Sequence, residues 1–393
     1  MGEDGPRRID VQSSFVFLPE GKALRRQPRV PTRRRPDTFW QRFEDRALVY
    51  DAFWSADETK IVLSCPPPNS LSPQWLSARF SAQPSGHSLT PAFSISRSTM
   101  TIALPEAPAD TTGVTLEFAD ETFTVPVQPN FGDFFAGRRV MFTMNKDNDL
   151  DWMALWADWH ARLHGVDAII VFDNGSTSYN TGSIANRLLD VPGISRVAVP
   201  SWPHRYGPVD PGVLFHPYWA NFLQVASFRV TVSRLAPKAE GLLNCDIDEL
   251  VAQGPNGGVY DALEKSENGL VTLKGNWVEP QIAEDAADQP FHLRYRYRHK
   301  NPLKAVCANK WAIDPRQPWA QDFAFTPMMH RIYGLPRTTN ASAPRLQFFH
   351  FKGINTNWKE ERTSARSKDS RALMRFSGLD AEIESYLAKH HTA

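Results

Sequence analysis

The feature that most constrains the fold is an alternation of apolar runs and one amphipathic stretch between residues 139 and 173. Residues 139–144 are mostly apolar and residues 168–172 are a continuous apolar run, and both are typical of buried strands. Between them, large apolar side chains recur at helical spacing, at Trp152, Leu155, Trp156, Trp159 and Leu163. A strand, a helix and a second strand in this order predict a βαβ unit, and therefore an α/β domain.

More apolar runs follow this unit. They predict strands over residues 196–199, 241–245, 270–274 and 346–351 and a helix over residues 218–234. Ligands of such sheets bind outside the carboxyl ends of the strands. The polar segments after residues 172 and 245 are therefore the candidate functional loops.

The chain upstream differs in character. Short alternating runs separated by proline-rich and glycine-containing turns predict a small β-rich domain, with a hairpin around Asp120-Glu121. No group of titratable residues stands out in it, so we expect a structural role. The organisation we predict is a basic, proline-rich, flexible arm (1–37), the β-rich domain (38–130), the α/β domain (138–365) and a helical C-terminal segment (366–393).

Composition excludes several classes of protein. The 393 residues include 44 Lys+Arg and 43 Asp+Glu, and the formal net charge of +1 argues against whole-body binding to nucleic acid. Three cysteines are too few and too scattered for a disulfide framework or a zinc site. No apolar run is long enough for a membrane helix, and the first residues lack the apolar core of a secretory signal, so we expect a soluble, cytoplasmic protein.

The charge is unevenly distributed. Residues 22–35 contain seven basic residues and no acid, and the rest of the chain carries a net charge of −6. Prolines prevent this stretch from forming a regular helix. We interpret it as a solvated tail; the alternative is a peripheral contact with anionic lipid at the inner face of a membrane.

The sharpest chemical signal is Asp246-Ile247-Asp248-Glu249, directly after a predicted strand. Alternate residues of an extended chain point to one side, so Asp246 and Asp248 present two carboxylates together. Their repulsion is relieved by a hard divalent cation, Mn²⁺ or Mg²⁺, which carboxylates and substrate phosphates hold jointly. The alternative is an acidic turn whose side chains cap a helix.

A second signal is Asp173-Asn174-Gly175-Ser176, which follows the strand predicted over residues 168–172. Its carboxylate, amide and hydroxyl groups suit hydrogen bonds to a base or ribose. The same residues are also favourable in a plain turn, which on this segment alone is the preferred interpretation.

Taken together, the segments resemble family 92 and related family 2-like glycosyltransferases over about residues 139–365. The resemblance rests on Asn145-Lys146-Asp147, Trp156-Ala157-Asp158-Trp159-His160, Gly165-Val166-Asp167, Asp173-Asn174-Gly175-Ser176 and Asp246-Ile247-Asp248-Glu249-Leu250. The chain departs from the family pattern where Lys146-Asp147 replaces Asn-Glu and where Leu155 replaces the helix Glu. These departures leave the donor and the acceptor open.

The resemblance implies a GT-A fold, a Rossmann-like nucleotide-sugar-binding domain, here preceded by the β-rich domain. It implies a nucleotide-sugar donor, with a UDP-sugar favoured, and a glycan or lipid-linked glycan acceptor. Asp248 would bind Mn²⁺ or Mg²⁺ directly and Asp246 would lie nearer the ribose and the metal. The donor would contact Asn145, Asp173, Asn174 and Ser176.

Phe349-His350-Phe351-Lys352-Gly353, with Trp358, resembles a late segment of several GT-A enzymes in which the histidine completes the metal site. His350 would then be a metal ligand, with an ordinary buried histidine as the alternative and His330 as the competing candidate. Lys352, and less strongly Lys310, would contact the donor phosphates.

The catalytic base is the most open assignment. An inverting transferase needs a carboxylate to deprotonate the acceptor hydroxyl, and a retaining one does not. We expect Glu279, which lies beside Trp277, with Asp285 as its rival and Glu249 as a third candidate. The alternative to an enzyme is a non-catalytic carbohydrate-binding or assembly protein on a degenerate GT-A fold, since the 12 tryptophans suit sugar stacking as well as core packing.

Overall fold

The computed structural model describes residues 5–30, 32–210, 212–213, 216–254, 257–333, 335, 345–356 and 370–391. The strands are β1 (Arg8–Ile9), β2 (Val16–Phe17), β3 (Ala47–Val49), β4 (Asp51–Trp54), β5 (Lys60–Cys65), β6 (Arg79–Gln83), β7 (Ser88–Leu89), β8 (Ala92–Ile95), β9 (Met100–Pro105), β10 (Gly113–Phe118), β11 (Glu121–Pro126), β12 (Arg139–Asn145), β13 (Ala168–Asp173), β14 (Arg196–Ala198), β15 (Gly241–Asn244), β16 (Glu249–Val251), β17 (Leu270–Val278), β18 (Tyr297–His299), β19 (Val306–Ile313), β20 (Thr326–Pro327), β21 (Ile332–Tyr333), β22 (Arg345–Phe351) and β23 (Leu373–Arg375). The helices are α1 (Asp37–Arg42), α2 (Ser72–Ser77), α3 (Leu150–His164), α4 (Thr181–Leu189), α5 (Phe222–Val230), α6 (Val259–Glu264), α7 (Pro302–Ala305), α8 (Pro318–Gln321) and α9 (Ser377–His391).

The centre of the protein is a nine-stranded mixed sheet with the order β1-β14-β13-β12-β15-β19-β17-β22-β16. The first five strands in this order run parallel, and β19 pairs antiparallel with β15. This arrangement confirms the predicted α/β class. In the parallel part Asn145 is paired with Asp173, so the loops after β12 and β13 leave the sheet at the same edge.

Helix α3 forms where the apolar periodicity predicts it. The Asp149 side chain accepts a hydrogen bond from the Asp151 backbone N–H and begins the helix. Gly165, at a φ of 69°, ends the helix in the left-handed conformation that glycine tolerates best. The helix turns Trp156 and Trp159, both fully buried, toward the sheet.

The two faces of the sheet have separate cores. Helices α3, α4, α6 and α9 cover one face, with Trp156, Ile169 and Leu263 in its core. Helix α5 and residues from the N-terminal part cover the other, where Phe228 packs against Phe142. The helix predicted over residues 218–234 is shorter than expected and ends in a π-helical turn, Thr231–Leu235.

The N-terminal β-rich region contains two four-stranded antiparallel sheets, β11-β10-β6-β7 and β4-β5-β9-β8, which share one apolar core. Strands β10 and β11 form the hairpin predicted around Asp120-Glu121. No titratable cluster of metal-binding type lies in this region among the residues described. Phe53 and Val62 of this region also lie in the core on one face of the large sheet, so the region packs against that sheet.

The basic segment differs from the solvated arm that its charge predicts. Strand β1 adds to the edge of the large sheet beside β14. The Arg26 side chain is fully buried, because its guanidinium donates to the carbonyls of Pro67, Glu44 and Ala47 at 2.6–3.1 Å. Arg35 pairs with the buried Asp210 at 3.1 Å. Carbonyl and carboxylate oxygens thus hold the basic run against the protein at Arg26 and Arg35, whereas Lys22, Arg29 and Arg34 are exposed.

Among the helices given above, none combines the length and the apolar character that a bilayer crossing requires. Trp358, part of the late motif, lies outside the described residues.

Candidate active site

A cavity of about 870 Å³ opens at the carboxyl ends of the parallel strands. Met144 of β12, Asn174 after β13 and Asp246 after β15 line its floor. We call it the main cavity. It lies where the ligands of open α/β sheets bind, and its volume suits a substrate of nucleotide size.

The acidic segment forms a tight turn between β15 and β16. The Asp246 backbone N–H donates to Oε2 of Glu249 at 2.8 Å, and the Glu249 N–H donates to the Asp246 carbonyl at 3.0 Å. Asp246 and Asp248 are half-buried, whereas the Glu249 side chain is fully buried. All three residues line the main cavity.

Helix α3 holds the strand that carries Glu249. The Val251 carbonyl accepts from Nε2 of His164 at 2.9 Å and from Nε1 of Trp159 at 2.8 Å. The Val251 N–H donates to Nε2 of His160 at 3.2 Å. The helix and β16 are thus joined by side-chain hydrogen bonds in the core, which positions Glu249 firmly.

Lys310, on β19, bridges two of the acids. Its Nζ lies 2.8 Å from Oδ2 of Asp246 and 3.2 Å from Oε2 of Glu249. Burial disfavours the charged ammonium, but the charges of Asp246 and Glu249 outweigh it and raise the pKa of Lys310. Lys310 is therefore a permanent counter-charge for Asp246. This role differs from the contact with donor phosphates that the resemblance implies.

His350 approaches the remaining acids from β22. This strand pairs antiparallel with β16, with Glu249 opposite His350. Nε2 of the imidazole lies 3.0 Å from Oδ2 of Asp248, and Nδ1 lies 3.5 Å from Oε1 of Glu249. One ligand atom from each of Asp248, Glu249 and His350 lies within 4.8 Å of the others.

This cluster of Asp248, Glu249 and His350 fits a divalent cation. Oε1 of Glu249 is buried without a hydrogen-bond partner, which is costly for a carboxylate unless a cation meets it. Burial raises the pKa of Glu249, and Lys310 opposes that shift. Carboxylate oxygens and an imidazole nitrogen are ligands suited to Mn²⁺, and the carboxylates suit Mg²⁺.

No protein-family model matches the chain, and no curated protein matches it in sequence.

The geometry divides the residues predicted as metal ligands. Asp248 and His350 lie in the cluster together with Glu249, which the sequence suggested only as a base. Asp246 lies beside it, paired with Lys310. His330 lines the main cavity but is not in the cluster, and its Nδ1 lies 3.0 Å from the Asn309 carbonyl.

A second group lies next to His350. The Trp277 ring packs on the His350 imidazole with centroids 4.2 Å apart and planes tilted by 35°, and Nζ of Lys352 lies 5.2 Å from the Trp277 ring centroid. Lys352 also forms an ion pair of 2.7 Å with Oε1 of Glu279. Trp277 thus fixes the orientation of the imidazole, and Glu279 holds Lys352 at the cavity wall.

Glu279 and Asp285 are the two residues that the sequence favours as the catalytic base. Neither of them lines the main cavity. Glu279 is buried behind Lys352. Asp285 is exposed and pairs with Arg375 at 2.7 Å, so its position is that of a surface ion pair.

The polar loop after β13 is held by its own side chains. Asp173 accepts hydrogen bonds from Nδ2 of Asn145 and from the backbone N–H and hydroxyl of Ser176. Nδ2 of Asn174 donates to the carbonyls of Trp202 and His204. Of the four residues predicted to contact the donor here, only Asn174 lines the main cavity.

Sequence reasoning missed the opposite wall of the main cavity. It consists of residues after β14, including His204, Arg205 and Tyr206, and of Gln41 and Arg42 at the end of α1. Their order in the chain carries no motif. For His204, Arg205 and Tyr206 the available signal is their place after a parallel strand, because loops there converge on the same edge of the sheet. Gln41 and Arg42 of α1 have no such signal.

Lys146 is one of the residues at which the sequence departs from the family pattern. It lines the main cavity directly after β12, next to Asn148. Lys146 and Lys352 are therefore cationic side chains available at the walls of the cavity for an anionic ligand.

Proposed function

We propose that the chain is a metal-dependent glycosyltransferase with a GT-A fold. It transfers a sugar from a nucleoside diphosphate donor, a UDP-sugar in the first instance, to a hydroxyl of a glycan or lipid-linked glycan. The observation that carries the proposal is Oε1 of Glu249, which is buried without a hydrogen-bond partner and clusters with Asp248 and His350 in the main cavity.

Asp248, Glu249 and His350 would hold Mn²⁺ or Mg²⁺. When bound, such a cation offsets the negative charge that develops on the leaving diphosphate. The remaining residues bind and orient. Lys146 and Lys352 face the cavity as cations for phosphate oxygens, and Trp277 keeps the His350 imidazole in place.

Lys310 has a separate task in the proposed mechanism. It lies between Asp246 and Glu249 and offsets one of the three negative charges of Asp246, Asp248 and Glu249. With it in place, the segment offers two net negative charges rather than three to the cation. This charge suits a cation that must also be shared with a diphosphate.

The proposal is tested by thermal shift with the full chain, using UDP and other nucleoside diphosphates with and without Mn²⁺. We expect the melting temperature to rise most when a nucleoside diphosphate and Mn²⁺ are present together, because each helps to hold the other. No stabilisation by any nucleoside diphosphate, with or without metal, would contradict the proposal.

Hydrolysis of nucleotide sugars separates catalysis from binding. We expect slow, Mn²⁺-dependent release of the nucleoside diphosphate, lost in Asp248→Asn and kept in Asp288→Asn, which changes an exposed acid outside the cavity. If the chain bound a nucleotide sugar but neither hydrolysed it nor transferred its sugar to any acceptor, the non-catalytic alternative would be favoured.

A further inference from the structure

A second cavity, of about 300 Å³, lies between the β-rich region and the α/β domain. Four cationic side chains line it, Lys60 from β5, Arg229 from α5, and Lys238 and Arg316 from loops of the α/β domain. We call it the interdomain cavity. It shares no lining residue with the main cavity.

Arg229 is the buried member of this set, with 3% of its surface exposed. Its guanidinium donates to the hydroxyl of Ser233 at 3.3 Å and to the carbonyls of Asp322 and Phe323 at 3.2 and 3.1 Å. These acceptors are all neutral. In the part of the chain that the structure describes, no carboxylate lies within ion-pair distance of Arg229.

A buried cation without a counter-charge is unfavourable. Burial lowers the pKa of Arg229 to about 10, and the charge of Asp322 offsets only part of this. The carboxylate of Asp322 is itself turned to the Ala324 N–H, at 2.8 Å. The position of Arg229 therefore favours an anion in the adjoining cavity.

The surrounding cations are neutralised to different extents, and Arg316 the most, since its guanidinium donates to both carboxylate oxygens of Asp314 at 2.8 and 3.1 Å. Nζ of Lys238 lies 2.7 Å from Asp133, but the two side chains are 48% and 90% exposed, and such pairs contribute little. Arg316 pairs with Asp314 on the same loop. Lys60 has no ion pair within the described residues.

One acid, Asp57, lines the interdomain cavity as far as the described residues extend. Its carboxylate accepts hydrogen bonds from the hydroxyls of Ser55 and Thr59 and from the Thr59 N–H. It is therefore engaged within its own turn. The lining of the cavity thus contains four cations and one acid, and Asp133 and Asp314 pair with two of the cations from outside the lining, so Arg229 and Lys60 are the cations without an ion pair in the described part of the chain.

We propose that the interdomain cavity binds a small soluble phosphate-bearing anion, anchored by Arg229 and surrounded by Lys60, Lys238 and Arg316. Guanidinium and ammonium groups are the usual partners of phosphate oxygens. The volume suits a group of the size of pyrophosphate and is too small for a nucleotide sugar. Because Lys60 and Arg229 belong to different domains, the ligand joins the two.

The test is calorimetric titration of the full chain with inorganic pyrophosphate, and separately with inorganic phosphate, in the presence of EDTA. The chelator removes the divalent cations that would draw pyrophosphate to the main cavity. We expect one bound pyrophosphate, about tenfold or more weaker in Lys60→Gln and in Arg316→Gln, since each variant removes a charge-assisted hydrogen bond.

The matched control is Lys146→Gln, which removes a cation from the main cavity and is expected to leave this binding unchanged. Unliganded melting temperatures establish that each variant is folded, and Lys238→Gln, an exposed position, replaces any variant that is not. No heat at millimolar pyrophosphate, or binding lost in Lys146→Gln and kept in Lys60→Gln, overturns the proposal. Its outcome is independent of the proposed transferase activity.

Discussion

The ammonium of Lys310 lies 2.8 Å from Oδ2 of Asp246, deep beside the floor of the main cavity. This pair gives Asp246 and Asp248, two residues apart in the chain, different surroundings. Asp246 is neutralised from within the protein, whereas Asp248 lies beside His350. The two aspartates of Asp246-Ile247-Asp248 are therefore expected to respond differently to the same substitution.

We predict that Asp248→Asn weakens Mn²⁺ binding by more than about 100-fold and Asp246→Asn by about tenfold or less. The first change removes a ligand, whereas the second removes a partner of Lys310 outside the cluster. Free Mn²⁺ measured by electron paramagnetic resonance during titration checks the order. An equal or larger loss in Asp246→Asn would show that Asp246 is itself a ligand.

The sequence predicts the local part of the fold well. In residues 139–173, the apolar periodicity and the capping residues predict a strand, a helix and a second strand. The elements β12, α3 and β13 lie where that pattern predicts them. The candidate site follows in part, because loops at the carboxyl ends of parallel strands must converge. That rule, together with the two carboxylates of Asp246-Ile247-Asp248, predicts Asp248 at the main cavity.

What the sequence does not predict depends on pairing between distant strands. Glu249 meets His350 only because β16 pairs antiparallel with β22, and Lys310 meets Asp246 only because β19 pairs with β15. A register of this kind leaves no local pattern in either segment. Arg26 is a similar case. Its guanidinium donates to carbonyls from other parts of the chain, and the run of basic residues around it does not predict those contacts.

A buried ion pair joins the two domains. Nη1 of Arg234 lies 2.6 Å from Oδ2 of Asp51, and both side chains are fully buried. We predict that Arg234→Met lowers the free energy of unfolding by about 3–5 kcal/mol, because it leaves the Asp51 carboxylate buried without its partner. Urea unfolding measures the change.

The double variant Arg234→Met with Asp51→Leu is the control for this pair. It removes both charges, so we expect it to be more stable than Arg234→Met alone. If the double variant lost as much stability as the two single variants added together, the pair would carry no coupling and the prediction would be wrong.

The buried histidines of α3 predict loss of stability in acid. Burial lowers the pKa of His164 to about 4, from an ordinary 6.5. Its Nδ1 accepts from the Val259 N–H while Nε2 donates to the Val251 carbonyl, so the neutral ring satisfies both bonds. The unfolded chain binds the proton first, so this stability is complete above pH 6.5 and is lost as the pH falls toward 4.

The shift of His164 corresponds to about 3 kcal/mol over that range. We predict that His164→Gln reduces the slope of unfolding free energy against pH between 6.5 and 4 by up to about 1.4 kcal/mol per pH unit. Urea unfolding at several pH values checks this. His87→Gln, at an exposed histidine, should leave the slope unchanged, and the same slope in both variants would contradict the prediction.

Trp277 is predicted to act on the metal through His350. Its ring packs on the His350 imidazole at a centroid distance of 4.2 Å, so Trp277→Leu frees the imidazole to rotate away from Asp248 and Glu249. We expect Mn²⁺ affinity to fall about tenfold, the usual scale for losing a group that orients a ligand. Trp319→Leu is the matched control, because Trp319 is also half-buried but packs on Phe325 outside the main cavity. Equal Mn²⁺ affinity in the two folded variants would mean that His350 keeps its orientation without Trp277, and the stacking would then be packing alone.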